Sequence, residues 1–254
     1  MREEKVEKLW WIDLIPSPHK ERRLFMRVLA DKIWTCRKEI LAWKLRQKHY
    51  KRQKRLTPEM EEYIKKSIND ALTRKRRAEK ELGDLVIKHE ALWKEWARLV
   101  IGLSPHLVGR IIAIIYTPLR FKHPSQLWAY VNDCVERRTQ YSRRLKSILY
   151  DVVTVFRYQK HPFYYRLYNW AKMRELKKGT PKWLADLRAM RVVRKVFVCH
   201  LFEVWYPLDA DLVGLKVNID QIKPYSVAYL GHTWIRAQEV INWKRDIEDV
   251  LGKP

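Results

Sequence analysis

Bulky or apolar residues recur at Leu29, Ile33, Cys36, Ile40, Trp43, Gln47 and Tyr50, in alternating steps of four and three. That spacing keeps one stripe of a helix turned toward a partner, and it predicts a long helix with a heptad seam. Ser17 and Pro18 read as its N-cap and first helical residue. The pattern restarts after Thr57 and Pro58 and runs through Ile64, Ile68, Ala71, Lys75, Ala78, Leu82, Leu85, His89, Leu92, Trp96 and Leu99. Thr57 reads as the cap of this second helix, with Glu59, Glu61 and Glu62 favourable in its first turn. Folding back at Thr57 sets Trp43 over Ala71 and Leu29 over Leu85. The seams therefore predict an antiparallel hairpin arm of roughly 55–65 Å at 1.5 Å rise per residue. A dimeric coiled coil would use the same seams, and the two arrangements are compatible.

The remaining pattern is also helical. Pro105 and Gly109 bracket a turn and a helix start, and Pro118 ends that helix. "HPSQLWAYVND" predicts a short helix, and Glu136 to Gln159 a longer one with Leu145, Ile148, Leu149, Val152 and Phe156 on one face. "HPFYYRLYNWAKMRELKKG" predicts another, stopped at Gly179. Pro181 to Trp205 is the next, and Ala237 to Leu251 the last. The expected fold is all-α: an arm over 1–100, a basic helical domain over 101–206, and a near-neutral extension over 207–254.

Charge changes the picture from fold to function. Lys and Arg number 53 against 29 acids, a net charge of +24 over 254 residues. Self-repulsion of that size calls for an anionic partner, nucleic acid first. The arm carries a basic stripe: Lys48, Lys51, Arg52, Lys54 and Arg55 on one helix, Arg74, Arg76 and Arg77 on the other. Between Cys134 and Val196 the only acids are Glu136, Asp151, Glu175 and Asp186. Against them stand seventeen bases, of which Arg137, Arg138, Arg143, Arg144, Lys146, Lys172, Lys177, Lys178, Arg188 and Arg191 are candidate phosphate contacts. "MREEKVEKLWWIDL" has charge where a signal peptide needs an apolar core, and no apolar run approaches a membrane span. The expectation is a cytoplasmic, nucleoid-associated chain. Cys36, Cys134 and Cys199 have neither metal nor disulfide spacing.

"GLSPHLVGRIIAIIY", Gly102 to Tyr116, joins the arm to the basic domain. A glycine turn between two helices can aim backbone N–H groups at a phosphate, as in a helix-hairpin-helix motif. The expected contacts are Gly102, Leu103, Ser104 and His106, with Arg110 adding charge. A plain helix cap followed by a core helix is the other reading. The likeness is wider: Arg120 and Phe121 followed by Ser125, Leu127 and Tyr130, then "LKSIL", then the aromatic "HPFYYRLYNW" helix, then "AMRVVRKVFVCHLFEVW". In this order they resemble the C-terminal domain of the RuvC-like insertion-sequence transposases related to Piv invertases, the bridge-RNA recombinase family. The likeness covers roughly Thr73 to His232. It implies a DNA-binding helical domain behind a coiled-coil arm, from a mobile genetic element.

The family's acidic catalytic domain precedes its arm, whereas "WWIDLIP" and basic helices precede it here. The family's serine element has no counterpart in "YVNDCVERRTQYS". Transposase chemistry is therefore not carried over, and no catalytic residue, metal or cofactor is expected. Adjacent Cys199 and His200 point different ways on a helix, which argues against zinc. Asp209 with Asp211, and Asp246 with Glu248 and Asp249, read as caps and solvated faces. Ser142 lacks a base to activate it. The expected function is largely sequence-independent binding of double-stranded DNA, with a possible homodimer through the arm. A recombinase or nuclease component needing a partner, and an RNA-binding or assembly protein, are the competing classes.

Overall fold

The computed structural model describes residues 10–131, 141–218, 222–224, 227 and 233–254. The protein is all-α, and the described residues contain no strand. Helix α1 spans His19–Arg52 and α2 spans Pro58–His89, antiparallel to it. Thr57 caps α2 as its side chain predicts: its Oγ1 accepts the Met60 N–H at 3.3 Å. Ser17 does not cap α1; its hydroxyl donates to the Glu21 carboxylate instead.

The seam is visible in the burial. Leu29, Ile33 and Cys36 are buried on α1, and Ile64, Ala71, Ala78 and Leu82 on α2. Farther along α1, Ile40, Trp43, Gln47 and Tyr50 are half-buried among exposed neighbours, because there only two helices cover them. Glu39 accepts from Arg74 across the pair at 2.8 Å. The ring of Trp43, expected over Ala71, lies against Tyr63 at 5.7 Å. At 34 residues, α1 is about 51 Å long by the same helical rise.

The second seam breaks before its expected end. At Glu90 the backbone turns extended, and the chain continues as α3 (Ala91–Glu95) and a 3-10 turn, Ala97–Leu99. Leu99, a seam position by spacing, is consequently exposed. The cause lies far away in sequence. Glu90 is buried beside Arg23 of α1, whose guanidinium also holds Asp209 through both nitrogens at 2.6 and 2.7 Å. Arg23 donates as well to the Tyr116 carbonyl at 2.9 Å, and Trp205 Nε1 donates to Asp209 at 3.0 Å. Burial alone would lower the Arg23 pKa, but the two carboxylates outweigh it and push it up. Asp209 is therefore an interior ion-pair partner, not a solvated cap.

Helix α4 (Pro105–Ile115) crosses α2 at Gly109, where an added Cβ would stand 2.7 Å from Leu82 Cγ. Gly109 thus sits inside the helix at a close crossing rather than at its start. Helices α5 (Pro124–Val131), α6 (Arg143–Tyr158), α7 (Tyr164–Lys177) and α8 (Lys182–Leu212) follow. The helix expected from Glu136 is described only from Arg143, capped by Ser142, whose Oγ accepts the Leu145 N–H at 3.2 Å. His161 caps α7: its Nδ1 accepts from the N–H groups of Phe163 and Tyr164 at 3.2 and 3.3 Å. Burial pushes the His161 pKa down to about 4, which keeps Nδ1 free to accept. Gly179 at φ +76° ends α7, with Thr180 N–H bonded back to Glu175 O at 3.1 Å.

Helix α8 passes Trp205 and carries Pro207 inside it, so the expected boundary at 206/207 falls within a helix. The last helix is shorter than expected, α9 (Ile247–Leu251), capped by Asp246. One hydrophobic core joins the root of the arm (Met26, Ile33, Leu82, Val86) to Ile111, Phe156, Phe197 and Phe202. Only the outer part of the arm is a separate feature; its first third belongs to the body.

Candidate nucleic-acid interface

The glycine turn is built, but it faces inward on two sides. Gly102 adopts φ +96°, and a Cβ there would stand 3.0 Å from Val155 Cγ1 and 3.3 Å from Gln159 Oε1. The close approach that requires glycine is to α6. Leu103 is buried, and its N–H donates to Val100 O at 3.1 Å. Arg110 is also buried, 3.3 Å from Asp151, which Arg37 of α1 holds at 2.6 Å. Desolvation first, and then the Arg37 charge, depress the Arg110 pKa. Leu103 and Arg110 are thus corrected from phosphate contacts to core and interior ion pair. Gly102, Ser104 and His106 stay half-buried; Ser104 Oγ lies 3.5 Å from His106 Nε2, which is 4.0 Å from Glu79. Burial lowers the His106 pKa.

The basic block divides into paired and open cations. Lys172 donates to Tyr168 Oη at 3.0 Å and to Asp186 at 2.9 Å, and Arg157 approaches the same carboxylate. The Tyr168 bond, followed by Asp186, raises the Lys172 pKa. Glu175 takes Arg188 at 2.7 Å and Lys178 at 3.5 Å. Lys177 donates to Pro254 O at 2.8 Å. Arg144 folds back onto α1, paired with Asp31 and 5.5 Å over the Trp34 ring. Arg191 is half-buried on α8. Arg137 and Arg138 lie outside the described residues. Lys172, Lys178, Arg188 and Arg144 thus each sit against a carboxylate, although the Lys178 and Arg188 side chains remain largely exposed.

What stays open is one face of α6. Arg143, Lys146, Ser147 and Tyr150 are spaced i, i+3, i+4 and i+7, which puts them in one row. With Tyr141 and Arg194 of α8 they line a depression of about 340 Å³ that has no carboxylate among its described lining residues. Lys146 Nζ lies 5.5 Å over the Tyr141 ring, and Tyr150 is 45% exposed, available for contact. The row begins at the N-terminus of a 16-residue helix. First-turn N–H groups there lack helical acceptors, and the helix dipole is positive. Ser142 Oγ satisfies the Leu145 N–H and leaves the earlier ones for an incoming oxygen. Cations, amide donors and tyrosine faces thus converge on one side of α6. Arg194, 7% exposed, is one of the seventeen bases of the block but not one of its candidate contacts, and Tyr150 is one of the block's many aromatic residues; the spacing on α6 is what groups Tyr150 with Arg143 and Lys146.

The arm offers a second basic surface. Lys48, Lys51, Arg52, Lys54, Arg55, Arg76 and Arg77 are exposed, while Arg74 is held by Glu39. Lys44, Lys48, Lys51 and Lys54 gather on one flank near Glu61.

The chemical candidates fall differently. Cys199 is buried, and burial pushes its thiol well up. His200 lies between Tyr164 Oη at 2.8 Å and Ile235 O at 3.0 Å, its pKa driven by burial to about 4. Ser142 is a helix cap. Among the described residues no group of three or more His, Cys, Asp or Glu side chains is placed to hold a metal ion, and no helix is long and apolar enough to cross a membrane. No family model matches the chain, and neither a curated protein nor a solved structure matches it.

Proposed function

We propose that the protein binds nucleic acid, duplex DNA above all, through the phosphate backbone and largely without reading base sequence. The observation that carries this is the row Arg143, Lys146, Ser147 and Tyr150 on α6, which starts at a helix N-terminus and borders a depression with no carboxylate among its described lining residues. Backbone contact by Arg, Lys, Tyr and amide donors positions a duplex without specifying it. The arm's exposed cations would lengthen the track. A homodimer through the arm, and an origin in a mobile genetic element, belong to the same reading as expectations from the seam and the family resemblance.

The test is salt-dependent binding of a short duplex, measured by fluorescence anisotropy. Affinity should fall about 10³-fold or more between 50 and 200 mM salt for some six or more neutralised phosphates. Arg143→Glu with Lys146→Glu should flatten the log–log slope by roughly two phosphates' worth. A salt-insensitive affinity, or an unchanged slope in the double variant, would show the reading to be wrong. Duplex RNA and single strands run in parallel decide the nucleic acid class.

A further inference from the structure

A second opening lies one residue along α8. Arg194 lines the α6 depression and Lys195 lines a cavity of about 610 Å³ between α5, α7, α8 and the C-terminal segment. That volume is in the range of small-molecule sites. Successive helical residues point about 100° apart, so the two openings adjoin around α8.

The cavity wall is unusual in its tryptophans. Trp128, Trp170 and Trp234 are all half-buried and come from three different segments. Two of the indoles are fixed at their polar ends: Trp128 Nε1 donates to Lys195 O at 3.1 Å, and Trp170 Nε1 to Gly252 O at 2.8 Å. Cations lie against their faces, Lys195 Nζ 5.0 Å from the Trp128 ring, Arg174 4.9 Å from Trp170 and Arg236 4.4 Å from Trp234. No carboxylate appears among the described lining residues. The floor offers an occupant little to hydrogen-bond, since both His200 nitrogens already have partners. A flat apolar ring suits such a wall, and a negative group beside it suits Lys195 and Arg174. A guanidinium plane is itself a stacking surface.

We propose that this cavity receives one unpaired nucleotide adjoining the duplex, its base among the tryptophans and its phosphate toward Lys195 and Arg174. The assignment to a strand rests on the preceding reading of the α6 row, because the Arg194–Lys195 step connects the two openings. A nucleotide already unpaired enters without the cost of breaking a pair, and stacking on aromatic faces tolerates any base. The protein would therefore prefer a duplex with a bulged or overhanging nucleotide to an intact one.

The experiment compares an intact duplex with the same duplex carrying one bulged 2-aminopurine. The bulged duplex should bind about tenfold more tightly, and its fluorescence should be quenched as the base stacks. Val196→Trp fills the cavity from a half-buried position, and Trp128→Leu removes a wall. Either should bring the two duplexes to equal affinity and abolish the quenching, while intact-duplex binding and the far-UV circular dichroism stay as in the wild type. Equal affinity of both duplexes for the wild type, or quenching that survives in Val196→Trp, overturns the inference. So does tighter binding of free 2-aminopurine ribonucleoside monophosphate than of the bulged duplex, which would make the cavity a mononucleotide site. Failure of the α6 reading appears separately, as an intact-duplex affinity indifferent to Arg143→Glu and Lys146→Glu.

Discussion

Two arginine-centred regions of this protein treat charge in opposite ways. At the root of the arm, Arg23 is 2% exposed and is enclosed by Asp209, Glu90, the Tyr116 carbonyl and the Trp205 ring. On α6, Arg143 is exposed, with Lys146 beside it and no carboxylate among the described residues of the depression they line. A buried charge must be matched where it sits, because desolvation is offset only by close partners. An exposed charge needs no internal match, since water screens it. Two acids, Asp209 and Glu90, serve the first task at Arg23. Asp209, Glu90, Asp151, Glu175 and Asp186 all sit against arginine or lysine, and the surplus of cations is left facing outward. A net charge alone does not say where an anion would bind; how each cation is paired narrows the choice.

The contrast can be strained hardest by acid. His161 and His200 are held neutral by burial, with pKa values near 4 against an unfolded value of 6.5. The unfolded chain binds more protons between those values, so stability is full above pH 6.5 and falls as pH drops toward 4. The slope should approach about 1.4 kcal/mol per pH unit for each histidine. Denaturant titrations across that window measure it, and a flat profile would mean the interior tolerates imidazolium. Next in size, Arg23→Met leaves two carboxylates buried without their cation. It should cost about 3–5 kcal/mol in the same titration.

On the open side, Arg143→Glu with Lys146→Glu should leave stability within about 0.5 kcal/mol, as surface changes usually do. The same variant should weaken duplex binding at low salt by roughly 100-fold, read by anisotropy, if two phosphate contacts are each worth about a factor of ten. Arg110→Met sharpens the comparison from between the two regions. Asp151 keeps Arg37, so a loss of about 1–2 kcal/mol is expected in thermal unfolding. Duplex affinity should be nearly unchanged. A large affinity loss with unchanged stability would return Arg110 to the phosphate surface.

Much of the fold was legible because periodicity is local. The half-buried row Ile40, Trp43, Gln47 and Tyr50 follows from spacing alone, and so does the cap at Thr57. What escaped has partners distant in sequence. The break at Glu90 depends on Arg23, 67 residues away, and the inward turn of Arg110 on Asp151, 41 residues away. At Gly102 an added side chain would intrude, and the neighbour it would meet is Val155, 53 residues away. The continuation of α8 through Pro207 was hidden by proline's usual role as a helix breaker, which the surrounding core overrides. Of the interface, Arg143 and Lys146 were readable from charge density, while Arg194 required the packing of α8 against α6.

The Arg23–Asp209 bond also orders events in time. Its two residues are 186 positions apart. At about 5–20 residues per second, a ribosome needs roughly 10–40 s to travel from one to the other. From the completion of α2 at His89 until then, the nascent hairpin holds an arginine at its base whose partner Asp209 has not yet been made. Sealing of the base must then be a late, post-hairpin step, and until it occurs the growing chain exposes a basic, half-closed helix pair to whatever polyanions surround it.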